Sequence, residues 1–248
     1  MDIGKFLQEL KQNITDALTK PVPTARRLAK STDLKYGIEV VITSLLIMSL
    51  INFIVSFVNT IYKLLSGSST FVEIGIFMVG YIVALIIVIL LGLIFSLIFT
   101  GIVWWVGKLL GGKSRFENFY GSIQVPNAGI IILFYITTGI LNLFSMFVSA
   151  AFRWIGVETL TSLILFLTGI VTLLLVLIAG LGRIYYNTIF VKEIHEISTI
   201  RALISVCTPI IVAIGLVLMV IVFIIAILGI GMLSLDRIGG GMLGKGMI

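Results

Sequence analysis

The sequence predicts an all-α fold: a polytopic membrane bundle of five transmembrane helices with an N-terminal amphipathic interfacial helix. Three observations carry that expectation. Five apolar stretches, beginning near Ile38, Phe77, Ala128, Leu160 and Leu203, each exceed the roughly 20 residues a helix needs to cross the hydrocarbon core. Hydrophobic residues are 59% of the chain and charged residues 11%, where a soluble domain carries about 25% charged. No polar stretch between the apolar runs is long enough to bury a core of its own. The 248 residues therefore divide into a cytoplasmic amphipathic and basic segment, 1–36, a five-span membrane domain, 37–235, and a Gly-rich outer tail, 236–248.

The first element is an amphipathic helix over Ile3–Lys20. Ile3, Phe6, Leu7, Leu10, Ile14, Ala17 and Leu18 recur at three- and four-residue spacing and share a face. Pro21 ends it. A second short helix is expected from Ala25 to Lys30, capped by Thr24 and carrying Arg26, Arg27 and Lys30. An apolar face with basic residues suits the headgroup boundary, where each cation contributes about 1 kcal/mol with anionic lipid. The same helix packed under the bundle would serve only structure.

The spans fall at about 37–62, 77–106, 128–152, 160–190 and 203–234. The second and fourth are long: thirty residues make roughly 45 Å of helix against about 30 Å of hydrocarbon, so they tilt, break or project. Trp104, Trp105 and Lys108 read as an interfacial belt with a snorkelling cation, a pattern repeated by Arg183, Tyr185 and Tyr186. No short apolar leader is visible, so the first span is expected to direct insertion.

Orientation follows from lysine and arginine. With the N-terminus in the cytoplasm, seven cations precede span one, three follow span two and three surround the turn after span four. The outer segments hold only Lys63, Arg153, Arg237 and Lys245. This bias puts the N-terminus inside and, with five spans, the C-terminus outside. The net charge of +6 is thus a topology signal, and nucleic acid is not an expected partner.

The two inner connections hold the most specific sequence. One runs from Gly107 through Lys108, Gly111, Gly112, Lys113, Arg115 and Phe116 to Gly121, with Pro126 at the mouth of span three. The other runs from His195 through Ser198 and Arg201 to Ala202. These motifs, with Lys20-Pro21 before a basic helix, resemble the Yip1 domain family of five-span membrane proteins over nearly the whole chain. The short N-terminal segment is similar to prokaryotic members, which implies a prokaryotic plasma membrane and supplies no activity.

Residues that could carry chemistry are few. No carboxylate lies in the middle of a span, which argues against a proton- or sodium-driven carrier. His195 lacks partners at metal-ligand spacing and reads as a structural or pairing residue. Ser198 or Thr199 is expected to cap span five, with Arg201 in the first turn. A cation there opposes the helix dipole and hints at a lipid phosphate or an acidic partner. Gly111-Gly112-Lys113-Ser114 lacks the spacing of a phosphate loop. Asn13-Ile14-Thr15 matches a glycosylation pattern by chance, on the inner side. Cys207 reads as an apolar packer, and Pro209 should kink span five.

Two polar stripes remain. Ser49, Asn52, Ser56, Asn59 and Lys63 share one face of span one, and Thr138, Asn142, Ser145 and Ser149 one face of span three. Such faces commonly join membrane helices, at about 0.6–2 kcal/mol per interhelical hydrogen bond; the alternative is that they line a hydrated groove. Gly92, Ser96 and Thr100 form a small-residue ridge on span two, read as packing or as a route to homo-oligomers. No enzyme, cofactor or metal site is expected. One reading is a scaffold that meets anionic headgroups or a protein partner through Arg26, Arg27, Lys30, Lys108, Lys113, Arg115, His195 and Arg201. The other is a small transporter, channel or lipid scramblase using a groove formed by Asn52, Ser56, Asn59, Thr138, Asn142 and Ser145.

Overall fold

The computed structural model describes residues 3–65 and 70–243, the side chains of Phe71 and of residues 226–243 excepted. All regular structure among them is α-helical. Seven helices follow one another: α1 Ile3–Thr19, α2 Pro21–Ser31, α3 Leu34–Leu65, α4 Phe71–Leu109, α5 Phe116–Trp154, α6 Glu158–His195 and α7 Thr199–Leu243. The last five are long and apolar enough to cross a membrane.

Every long helix outruns its expected span. α3 has 32 residues, α4 and α5 39 each, and α6 38. The largest correction is in α5. It starts at Phe116, not near residue 128, and Pro126 lies inside it rather than at its mouth. Proline lacks the N–H that would bond the carbonyl four residues back, so Ser122 loses that intrahelical partner. α2 also begins a turn early, with proline at its first position, where the missing donor costs nothing. Thr24 is therefore buried inside the helix and does not cap it. α7 continues to Leu243 through the segment expected as a Gly-rich tail, with Pro209 inside it; the tail's residues 244–248, Lys245 among them, lie outside the described residues.

Residues up to Val206 form one compact unit, and those from Cys207 a second that is the remainder of α7. In the first unit α5 is the hub, packed by α3 and α6 most extensively and by α1 and α2 near its start. Residues Phe119 to Ile130 of α5 are buried without a gap. Around them Phe6, Leu10, Ala25, Leu28, Phe190, Val191 and Ala202 complete one apolar core. The core sits at the end of the bundle where α1, α2, the end of α6 and the start of α7 meet. Away from it the long helices expose many leucine, isoleucine and valine side chains, as lipid-facing helices would.

The apolar face of α1 is spent inside the protein only in part, and Leu7 on it stays 44% exposed. Phe6, Leu10 and Ala17 are buried, while Ile3 is 70% exposed. Asn13 sits on the same face and is fully used: its amide donates to the Tyr36 hydroxyl at 2.8 Å and its carbonyl accepts from Arg27 at 2.8 Å. A methyl on Gly129 would come within 2.8 Å of Ile14, which explains how α1 lies so close to α5. The small-residue ridge of α4 is likewise used within the chain. Gly92 packs under Leu45, Ser96 bonds the Tyr120 hydroxyl at 3.0 Å, and Thr100 accepts from Gln124 at 2.9 Å.

Candidate functional site

The first candidate surface, the inner connections, is a folded cap. α4 ends in a Schellman turn: Gly112 N–H donates to the Gly107 carbonyl at 2.9 Å and Gly111 N–H to that of Lys108 at 3.0 Å. Gly111 takes φ +98°, which only glycine adopts without strain. The turn folds the glycines against His195, whose ring fills the space a side chain at Gly107 or Gly112 would need. His195 is fully buried. Its Nδ1 lies 3.0 Å from the Ser114 hydroxyl, its carbonyl accepts from Lys113 N–H at 3.3 Å, and its ring stands 4.9 Å from that of Phe119. The expectation that His195 forms a contact surface is therefore corrected: it is the pin that locks the two connections together.

The cations of this region are also mostly engaged. Arg26 pairs with Glu193 at 2.8 Å, Arg27 with Asp16 at 3.1 Å, and Lys113 with Glu196 at 3.6 Å. Lys108 lies 6.0 Å from the Trp104 ring. Arg201 donates to the Leu110 carbonyl at 3.1 Å, so its conflict with its own helix dipole resolves against another helix. It caps the negative end of α4. Arg115, at the N-cap of α5, and Lys30 are exposed. Arg26, Lys30 and Lys192 edge a shallow depression of about 560 Å³.

The second candidate is a groove of about 860 Å³ between the far ends of α3 and α5 and the start of α6. Asn59 and Lys63 line it from α3, and Asn142, Ser145, Ser149 and Arg153 from α5. The expected stripes thus meet at one end only. Asn52, Ser56 and Thr138 do not line it. Thr138 turns back to its own helix, donating to the Phe134 carbonyl at 2.9 Å, and Gly139 beside it brings α5 against Ile51. Close approach there closes the cleft, and the same helices splay beyond it. α6 completes the wall with Leu165, Thr168, Gly169 and Thr172, a contribution the sequence analysis missed. The signal was there: Thr161, Thr168 and Thr172 stand seven and four residues apart on one face.

The groove's polar groups are unevenly satisfied. Thr161 donates to the Ser149 carbonyl at 3.5 Å, while the Ser149 hydroxyl is buried with no hydrogen-bond partner. Such a group costs about 1–3 kcal/mol when left unpaired. Arg153 ends α5 at a second Schellman turn, in which Gly156, at φ +82°, donates to the Arg153 carbonyl at 3.0 Å. Elsewhere on α6, Arg183 and Asn187 both donate to the side-chain carbonyl of Asn127, at 3.3 and 3.0 Å. Arg183 thus bonds into the bundle instead of only marking its edge. Among the described residues no three His, Cys, Asp or Glu side chains gather as a metal site would need.

No family model matches the chain, and neither a curated protein nor a solved structure does.

Proposed function

We propose that this is a non-enzymatic multi-pass membrane protein, a prokaryotic relative of Yip1 domain proteins, that binds and passes a lipid or small polar solute along the groove between α3, α5 and α6. The observation that carries this reading is the meeting of Asn59, Asn142 and Ser145 around an open volume of about 860 Å³. Amides that served only to join helices would hydrogen-bond across the interface. Here Asn59 and Asn142 are exposed side chains on opposite walls. With the N-terminus cytoplasmic, the groove opens at the outer face.

The cap supports a second role as a membrane-organising platform. Segments 3–36, 107–127 and 192–202 contribute to one body, whose depression Arg26, Lys30 and Lys192 line together with Glu193 and Glu196. Lys30 and Arg115, exposed cations of this cap, are the ones that would meet anionic headgroups of the inner leaflet.

Reconstitution tests the first reading. Proteoliposomes containing the purified chain should move labelled phospholipid or small solutes across the bilayer. Asn59→Leu with Asn142→Leu should slow the movement about tenfold, as loss of two polar wall contacts would, with unfolding unchanged. Vesicles that move neither probe contradict it.

A further inference from the structure

We infer that Arg183 holds the phosphate of a phospholipid, in the bilayer leaflet nearer the cap. Arg183, Asn127 and Asn187 do not line the groove, so this site stands apart from the proposed transport. Arg183 is the only charged side chain between Glu158 and Lys192. Counted from Glu158, the start of α6, it stands about 37 Å along the helix. Hydrocarbon is about 30 Å thick, and about 40–45 Å with both headgroup layers. With Glu158 at one face of the membrane, Arg183 therefore reaches the phosphate level of the opposite leaflet. Tyr185, 59% exposed, suits the same depth.

The guanidinium is held in place but not neutralised. Its Nε donates to Asn127 Oδ1 at 3.3 Å. Asn127 is itself fixed: its amide donates to the Ile123 carbonyl at 3.0 Å, and its Oδ1 also accepts from Asn187 at 3.0 Å. Among the described residues no carboxylate pairs with Arg183, and its two Nη groups make no hydrogen bond. Asn187 Oδ1 is buried without a partner, so the fork leaves an unfilled acceptor of its own cluster unused. The Arg183 side chain is exposed. A methyl on Gly180 or Gly182 would touch nothing within 4 Å, so the helix surface beside the fork is open to lipid. An arginine that only ties α6 to α5 while snorkelling to water explains the bond to Asn127. It does not explain a fork fixed through Nε, free at both Nη groups and open on its lipid side. That planar fork matches phosphate oxygens two at a time, and its depth assigns the phosphate to a lipid.

The measurement is binding to the full chain purified in neutral detergent, with acyl-labelled phosphatidic acid and diacylglycerol of the same chains. The two probes differ only in the phosphate. Phosphatidic acid should bind about tenfold more tightly, the ratio that one charge-assisted hydrogen bond supplies. Arg183→Gln should bring the two probes level. Arg183→Lys, which keeps the charge and loses the fork, should lower the preference without removing it, and it serves as the test if the glutamine variant does not fold. Arg115→Gln, which removes an exposed cation of the cap, should leave the preference unchanged. Equal binding of both probes to the wild-type chain overturns the inference, as does a preference that survives in both Arg183 variants. Displacement of the lipid probe by inorganic phosphate would overturn the assignment to a lipid.

Discussion

The imidazole of His195 lies 4.9 Å from the ring of Phe119, with Nδ1 3.0 Å from the Ser114 hydroxyl. Through this one side chain the end of α6 is fixed to the turn between α4 and α5. His195→Ala should remove about 3 kcal/mol of stability, by cavity formation and by stranding the Ser114 hydroxyl. Gly107→Ala puts a methyl 2.8 Å from the imidazole Nε2 and should cost about 1–3 kcal/mol by overpacking. Thermal unfolding in detergent reads both. Wild-type stability in either variant would show that the pin is dispensable.

Arg201 should act as a cap for a helix other than its own. Its bond to the Leu110 carbonyl predicts that Arg201→Ala loses about 1 kcal/mol and that hydrogen exchange quickens in the last turn of α4. Unchanged exchange there would return Arg201 to the role of an external contact.

Glu196 holds φ 57° without being glycine, at a backbone cost of about 1–2 kcal/mol. Its pair with Lys113 is exposed on both sides and is worth about 0–1 kcal/mol. Glu196→Gly should therefore leave stability equal or slightly higher, while Gly111→Ala, at φ +98°, should lower it. Chemical denaturation is the check: a loss at Gly111→Ala with no loss at Glu196→Gly.

Packing and groove part company along α5. A methyl at Gly139 would fall 2.8 Å from Ile51, so Gly139→Ala should destabilise by about 1–3 kcal/mol. Asn142, three residues on, is exposed beside the groove, and Asn142→Leu should change stability by less than about 0.5 kcal/mol. Equal losses at the two positions would mean that the stripe is packing along its whole length.

Hydropathy made the helices legible, because apolar length alone decides what can span a bilayer. Their ends were not. Residues 116–127 look polar and loop-like, with two glycines before them and a proline within, yet from Phe119 on they belong to the longest unbroken buried stretch among the described residues. What buries them is α1, α2, the start of α3, α4 and the end of α6, most of them distant in sequence. The same blindness affected the cations. Arg26 finds Glu193 and Arg201 finds the Leu110 carbonyl across more than ninety residues of chain, so each looked free when read locally. Each stripe's spacing marks one helical face, but periodicity does not say where two helices diverge. Gly139 against Ile51 marks where they touch, and the groove begins beyond it.

The central claim is that Asn59 and Asn142 face water from the outer side of the membrane. Its most direct test is thiol labelling in a Cys207→Ala background. Single cysteines are placed at Asn59, Asn142 and, as a lipid-facing control, Leu167, and oriented vesicles are treated with a membrane-impermeant maleimide. The account predicts rapid labelling of the two groove positions from the outer side and none at Leu167. Groove cysteines that stay unlabelled, or that react only from the inner side, would contradict it.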